Sequence, residues 1–154
     1  MHFYAFDSFK GLPPLSVVDS EIKQFEQGQY HSTKTQFIND LSREKFDMKR
    51  LHIIEGWFDQ TLTEKLHESL ILKAAAVIMI DCDLYTSAVP VMEFITPYLK
   101  DGTILLFDDW FCFNASPDRG EQKACNNWLK KNSDIKLIPY LPFEGYGMSF
   151  IVNM

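Results

Sequence analysis

The sequence predicts an open α/β sheet, mostly parallel, that finishes in an antiparallel hairpin. Three observations carry this expectation. Strand-like and helix-like segments alternate through most of the chain, the order that crossover helices impose on parallel strands. Two strand-like runs, "AVIMI" (Ala76 to Ile80) and "GTILLF" (Gly102 to Phe107), are apolar throughout; the first does not alternate and reads as buried on both faces. The last two strand-like runs, "IKLIPYL" and "MSFIVN", follow one another with only the turn "PFEGYG" between them.

The elements follow in order. "HFYAF" (His2 to Phe6) is short and aromatic and reads as a buried strand. Gly11 and two prolines make "DSFKGLPP" a loop. From Val17 to Phe46 the pattern is polar and helix-like, and Ser32 is placed to cap a helix carrying Phe37, Ile38 and Leu41 on one face. "RLHII" (Arg50 to Ile54) is a second strand, closed by Glu55 and Gly56. Leu62, Leu66 and Leu70 give "TLTEKLHESLILK" (Thr61 to Lys73) a helical spacing. "TSAVPVMEFITPYL" reads as a helix with Pro90 near its first turn and Pro97 as a kink or stop. "DRGEQKACNNWLKKN" (Asp118 to Asn132) is helical.

The 154 residues suffice for one domain with a real core, taken as residues 1–154, and not for two. A hydrophobic share of 46% is that of a globular chain. The formal net charge of −6 argues against nucleic acid or an anionic membrane as partner, and is compatible with a metal cation or a cationic small molecule. Cys82, Cys112 and Cys125 form no CxxC pair, which fits a reduced, cytoplasmic setting. The start, "MHFYAFDSFK", lacks the features of a signal peptide, and no apolar run is long enough to span a bilayer.

Acidic residues gather at the predicted strand ends. Asp81 and Asp83 follow one apolar run, Asp108 and Asp109 follow the next, and Asp7 and Glu55 close the first two strands. Ligands of open α/β sheets bind at the carboxyl ends of the strands. If the strands of Asp81 and Asp108 are neighbours, the carboxylates converge and repel one another, a cost that a hard divalent cation such as Mg²⁺ removes. Such an ion lowers the pKa of a hydroxyl bound to it. The competing reading is that these aspartates cap the following helices. For Asp83 three roles stay open: metal ligand in a DxD motif, general base toward a substrate, or helix cap. Asp7 stands where doubly wound sheets commonly hold a ribose diol.

The other candidates are weaker. His31, His52 and His67 have no ligand spacing, and His52 reads as a packed or edge histidine. Cys82 sits between two aspartates, which raises its pKa and argues against a nucleophile. Trp57 and Phe58 can stack on a flat ring or simply fill core. No nucleophile elbow, P-loop or zinc spacing is present.

At "FDSFKGLP" (Phe6 to Pro13), "GWFDQTL" (Gly56 to Leu62), "IDCDLYTS" (Ile80 to Ser87) and "FDDW" (Phe107 to Trp110) the sequence resembles the macrocin O-methyltransferase family, the TylF/MycF/NovP type of S-adenosylmethionine-dependent enzymes. "GEQKA" (Gly120 to Ala124) and the "GMSFIV" ending fit as well. The resemblance implies a Rossmann-like class I methyltransferase fold and Mg²⁺-dependent methyl transfer to a hydroxyl of a small molecule, often a natural-product sugar. It implies Asp81, Asp108 and Asp109 as metal ligands, the offset between the two sites favouring Asp81 over Asp83 as the first. Asp7 and Ser8 match the position that holds the cofactor ribose, and Gly56, Trp57 and Phe58 the loop beside the adenine. Asp83, or a hydroxide-like oxygen on the metal that Asp81 holds, would then help to deprotonate the acceptor.

One departure matters. Class I methyltransferases begin with a strand, a glycine-rich loop and a helix that cradle the cofactor. Nothing precedes the "FYAFDSF" strand, and no GxGxxG-like stretch occurs. The expectation is a fragment without its central strand, which belongs between the strands of Phe3 to Phe6 and Val77 to Ile80. Such a fragment should bind cofactor weakly or self-associate as a homo-oligomer through exposed strands. Two rival readings remain. A DxD-type metal-dependent glycosyltransferase explains Asp81 and Asp83 but leaves "FDDW" and "FDSFKGLP" without a role. A non-catalytic methyltransferase remnant accounts for the missing glycine loop.

Overall fold

The computed structural model describes residues 1–21 and 23–154; Ile22, inside the stretch expected to be helical, lies outside them. The elements run β1 (Phe3–Asp7), α1 (Val17–Ser20), α2 (Lys34–Arg43), β2 (Leu51–Glu55), α3 (Phe58–Thr61), α4 (Glu64–Ser69), β3 (Val77–Ile80), α5 (Tyr85–Ile95), β4 (Ile104–Phe107), α6 (Cys112–Ala115), α7 (Gly120–Lys131), β5 (Lys136–Phe143) and β6 (Gly147–Asn153).

The strands form two sheets. β1 and β2 pair in parallel from Phe3↔Leu51 to Asp7↔Glu55. The second sheet has the order β3-β4-β6-β5, with β3 and β4 parallel and the last two contacts antiparallel. That is the expected parallel sheet with a terminal hairpin, split in two. No ladder joins the two sheets among the described residues, and β1 and β3 are the strands between which the resemblance puts a central one. Both parts rest on α5: Phe6 of β1 meets Phe94 edge-on at 5.8 Å between ring centroids, and Ile80 of β3 packs with Ala88, Val91 and Met92.

The main core lies between the second sheet and the α5/α7 pair. Ile80, Leu105, Phe107, Phe150 and Val152 from the strands meet Met92, Ile95, Cys125 and Trp128 from the helices. The indole of Trp128 donates to Thr96 Oγ at 2.8 Å, so the one polar atom it brings inside is satisfied.

The opposite face of this sheet is open. Val77, Ile104, Ile151 and Ile138 are register partners across all four strands and therefore share a face. On it Val77 is 55% and Met79 56% exposed. The reading of "AVIMI" as buried on both faces is thus corrected. Continuous hydrophobicity called for cover on both sides, and among the described residues only α5 and α7 supply it, on one.

Several boundaries also differ. The cap of α2 is Thr33, whose hydroxyl accepts from Gln36 N at 3.1 Å, not Ser32. Among the described residues of the Val17 to Phe46 stretch only α1 and α2 are helical; the loop of Gly11, before α1, meets the loop of Gly28, between the two, where Gly28 N donates to Leu12 O at 2.9 Å. Gly11 has φ +72°, and a Cβ there would lie 2.4 Å from Gln29 O. The helix expected from Thr61 to Lys73 is only α4, capped by Thr63, and α3 precedes it as a separate turn. Pro90 is interior to α5 rather than in its first turn, and Pro97 lies in a 3₁₀ turn over Thr96–Tyr98.

Candidate active site

Parallel pairing of β3 with β4 puts Ile80 opposite Phe107, so the residues that follow leave the sheet at one level. Asp108 N donates to Ile80 O at 2.9 Å and holds the two exits together. Asp81, Asp83 and Asp109 each offer a carboxylate oxygen within 4.8 Å of the others. Asp108 stands outside that trio, yet its Oδ1 is buried with no hydrogen-bond partner among the described residues. Asp81 and Asp109 are common to the trio and to the ligand set the resemblance implies. Asp108 and Asp83 compete for the third place.

Electrostatics agree with a crowded anionic site. Burial first, then the charges of Asp108, Asp109, Asp7 and Glu144, raise Asp81 to about 6. Burial, then Asp109, Asp81 and Asp108, raise Asp83 to about 8. Asp109 is also raised, mainly by burial, against the opposing hydrogen bond from the Cys112 thiol. No Lys or Arg bridges to any of them among the described residues. Clustered hard oxygens, a buried unpartnered Oδ1 and mutual repulsion together suit a divalent cation such as Mg²⁺.

The capping reading of these aspartates finds no support. The α5 N-cap, Leu84, makes no side-chain cap bond, nor does Phe111 before α6. The first amides of α5 are instead held by Asp19, from α1. Its carboxylate accepts from Tyr85 N at 2.8 Å, from Thr86 N and from the Thr86 hydroxyl, and it is 2% exposed. Asp83 itself has φ +54°, a left-handed conformation that side chains other than Asn and Asp tolerate poorly.

Beside the carboxylates opens a cleft of ≈ 550 Å³. Asp7, Ser8, Gly56, Trp57, Phe58, Asp81 and Asp83 all line it, as do Tyr30 and Thr86. The two strand ends of the first sheet are joined there by Gly56 N donating to Asp7 O at 2.9 Å. Asp7 accepts from Phe9 N, and Ser8 Oγ from Lys10 N at 3.1 Å, so the β1 exit folds into a tight turn. Gly56 has φ +144°, and a Cβ would come within 2.6 Å of Thr61 Cγ2. The volume lies in the range of small-molecule sites. One carboxylate at its rim, two aromatic residues and an acidic cluster are suited to a ribose, a flat base and a metal respectively.

Of the weaker candidates, His52 is an exposed strand residue stacked on Tyr4 and 3.1 Å from His2 Nδ1. The three cysteines are free and buried, and Cys82 has its pKa raised first by burial and then by Glu121. No helix among the described residues is long and apolar enough to cross a membrane.

Two residues of the site carry no assigned role in the sequence: Asp19, and Glu121, which the "GEQKA" run includes without a function. The pattern Ser16-x-x-Asp19 looks like a local cap, and Ser16 does cap α1, but its partner's reach to α5 is tertiary. Glu121 looks like an ordinary acidic residue in the first turn of a helix. It is fully buried and bonds to both acidic exits.

A Rossmann-type α/β arrangement with Asp7, Asp81 and Asp83 lining one cleft, and Asp109 beside Asp81 and Asp83, matches the fold of known methyltransferase structures. The O-methyltransferase NovP superposes with a TM-score of 0.71 at 17% identity, covering 97% of this chain and 59% of that one. CalS11, a calicheamicin methyltransferase, gives 0.69 at 23% identity, with 97% and 60% covered. An apo structure of CalS11, described as a TDP-rhamnose 3'-O-methyltransferase, gives 0.56 at 20% identity, with 97% and 58% covered. The chain thus spans about three fifths of the length of these structures. No curated protein matches it. Residues 1–131 match the macrocin-O-methyltransferase (TylF) family, and the chain belongs to that family.

Proposed function

We propose that the chain carries the cofactor-, acceptor- and metal-binding cleft of a cytoplasmic S-adenosylmethionine- and Mg²⁺-dependent O-methyltransferase whose substrate is a hydroxyl of a small molecule, a sugar or related natural product. One observation carries the reading: Asp7, Ser8, Gly56, Trp57, Phe58, Asp81 and Asp83, drawn from three strand ends, line a single cleft. Family membership and the sugar named for one structural neighbour supply the chemistry and the substrate class.

In this reading Asp7 accepts hydrogen bonds from the ribose hydroxyls of the cofactor, with Ser8 holding the turn that aims it. Trp57 and Phe58 flank the base. Asp81, Asp108 and Asp109 would hold the ion, and Asp108 has a buried Oδ1 with no hydrogen-bond partner among the described residues to offer it. Bound cofactor supplies an electrophilic methyl group, and bound Mg²⁺ supplies positive charge that favours an ionised acceptor hydroxyl.

The remaining work falls to the chain. Asp83 is nearest in kind to a general base: a carboxyl raised to about 8 without an ion, and lowered by a positive charge beside it, accepts a proton near neutral pH. The cleft walls orient the acceptor oxygen in line with the methyl group, the geometry a displacement requires. A second reading, a metal-binding remnant without catalysis, is favoured by the division of the strands into two separate sheets. The DxD glycosyltransferase reading leaves Asp7, Asp108 and Asp109 idle.

Calorimetric titration of S-adenosylhomocysteine with Mg²⁺ present tests the proposal. Saturable binding that is lost in Asp7→Ala supports it. Metal binding without any S-adenosylhomocysteine binding would favour the remnant, and binding of a nucleotide-sugar instead would favour the glycosyltransferase.

A further inference from the structure

Glu121 is 0% exposed and carries no ion-pair partner among the described residues, and burial first, then the charge of Asp109, raise its pKa well above the ordinary glutamate value. A buried unpaired acid is costly unless hydrogen bonds satisfy it. Its two oxygens are divided between two loops. Oε1 accepts from Cys82 N at 3.0 Å, and Oε2 accepts from Asp109 N at 3.1 Å. Cys82 stands between Asp81 and Asp83, so one oxygen grips the exit of β3 and the other the exit of β4. Asp83 N completes the tie by donating to Asp109 Oδ2 at 3.1 Å.

The start of α7 is built to bring Glu121 there. Gly120 has φ +49°, and a Cβ on it would lie 2.7 Å from the Phe113 ring and 3.2 Å from Asp83 O. Any larger residue would push the helix start off the Asp83 backbone. A neutral apolar side chain at position 121 would leave two buried N–H groups without acceptors. Helix stability alone asks for neither feature, since an acid in a first turn works equally well in water.

We infer that Glu121 is a positioning residue, a two-pronged clamp that fixes the spacing of the Asp81/Asp83 and Asp108/Asp109 exits before any ion arrives. The inference rests on the metal site proposed above and adds a residue to it that touches neither metal nor substrate. Supporting residues of this kind change metal affinity by roughly ten- to a hundredfold when replaced.

The test is Mn²⁺ binding to the full 154-residue chain, read by electron paramagnetic resonance of the free ion, in wild type, Glu121→Gln and Thr103→Val. Gln keeps one acceptor and turns an NH₂ group toward the other N–H. Thr103 is equally buried but bonds to Ala75 O, at the start of the strand far from the carboxylates, so it controls for lost stability. The expected result is a Kd about tenfold or more weaker in Glu121→Gln, with Thr103→Val at the wild-type value despite a lower Tm. Equal Kd values in wild type and Glu121→Gln overturn the clamp and leave the metal site intact. No Mn²⁺ binding by wild type overturns the metal reading, and the clamp's role with it. Should Glu121→Gln not fold, amide exchange in the metal-free wild type decides: protection of Cys82 and Asp109 N–H comparable to the core strands supports a preformed clamp, and free exchange overturns it.

Discussion

The metal-free chain should lose stability as the pH rises from 5 to 7, and Asp83→Asn should remove a distinct part of that loss. Glu121, whose pKa burial raises well above the ordinary glutamate value, acts in the same direction and keeps its share in the variant. Asp83 is 8% exposed and has its pKa raised from 3.8 to about 8. A raised acid favours the fold while it keeps its proton. Its contribution is complete below the unfolded value and disappears as the pH climbs through the folded value. Between pH 5 and 7 the folded chain still holds the proton that the unfolded chain has released. Each pH unit in that window then costs about 1.4 kcal/mol, or about 3 kcal/mol in all. Shared titration with Asp81 and Asp109 reduces this to about 2 kcal/mol for Asp83 alone. Asp81, raised to about 6, acts in the same direction over the lower part of the window, and its exposure weakens it further.

The substitution is clean in geometry. Asn tolerates the φ of +54° at this position and has nearly the same shape. Urea unfolding with a chelator present, at pH 5 and pH 7, gives the comparison. With a slope of about 2 kcal/mol per molar, the wild-type midpoint should fall by about 1 M more than that of the variant. Mg²⁺ added at pH 7 should return the wild type toward its pH 5 midpoint. If variant and wild type share one pH dependence within about 0.5 kcal/mol, Asp83 is not the strained acid its surroundings imply, and its assignment as a base loses its footing.

Two further outcomes follow from particular contacts. Asp19→Ala strands the Tyr85 and Thr86 amides and the Thr86 hydroxyl, and should cost about 2–4 kcal/mol in chemical denaturation; a loss under 1 kcal/mol would mean that water replaces the cap freely. Val77 and Met79 lie on the open face of an edge strand, so self-association seen by light scattering should fall in Val77→Lys/Met79→Lys, and an unchanged mass would place the contact elsewhere.

Much of the molecule is legible in its residues because local patterns report local chemistry. Apolar runs closed by acids mark β3 and β4 and the ends that carry Asp81 and Asp108, and two strand-like runs around "PFEGYG" mark the hairpin. The motifs "FDSFKGLP", "GWFDQTL", "IDCDLYTS" and "FDDW" lead to the family that residues 1–131 match. Helix ends are less legible: Ser32 and Thr33 are equally good cap residue types, and the fold uses the second, whose hydroxyl accepts from Gln36 N.

What only the tertiary structure decides is what each buried acid is for. Asp19 and Glu121 are ordinary first-turn residues in sequence, since nothing local records hydrogen bonds made 66 and 39 positions away. Periodicity likewise reports that a strand wants cover, not whether a neighbour supplies it, which is why "AVIMI" reads as buried while Val77 and Met79 face outward. Residue type and spacing determine which chemistry is available at the strand ends. The packing of α5 and α7 under the sheet decides how far apart those groups stand, because a hydrogen bond between distant residues exists only once the chain has folded to bring them to 3.0 or 3.1 Å.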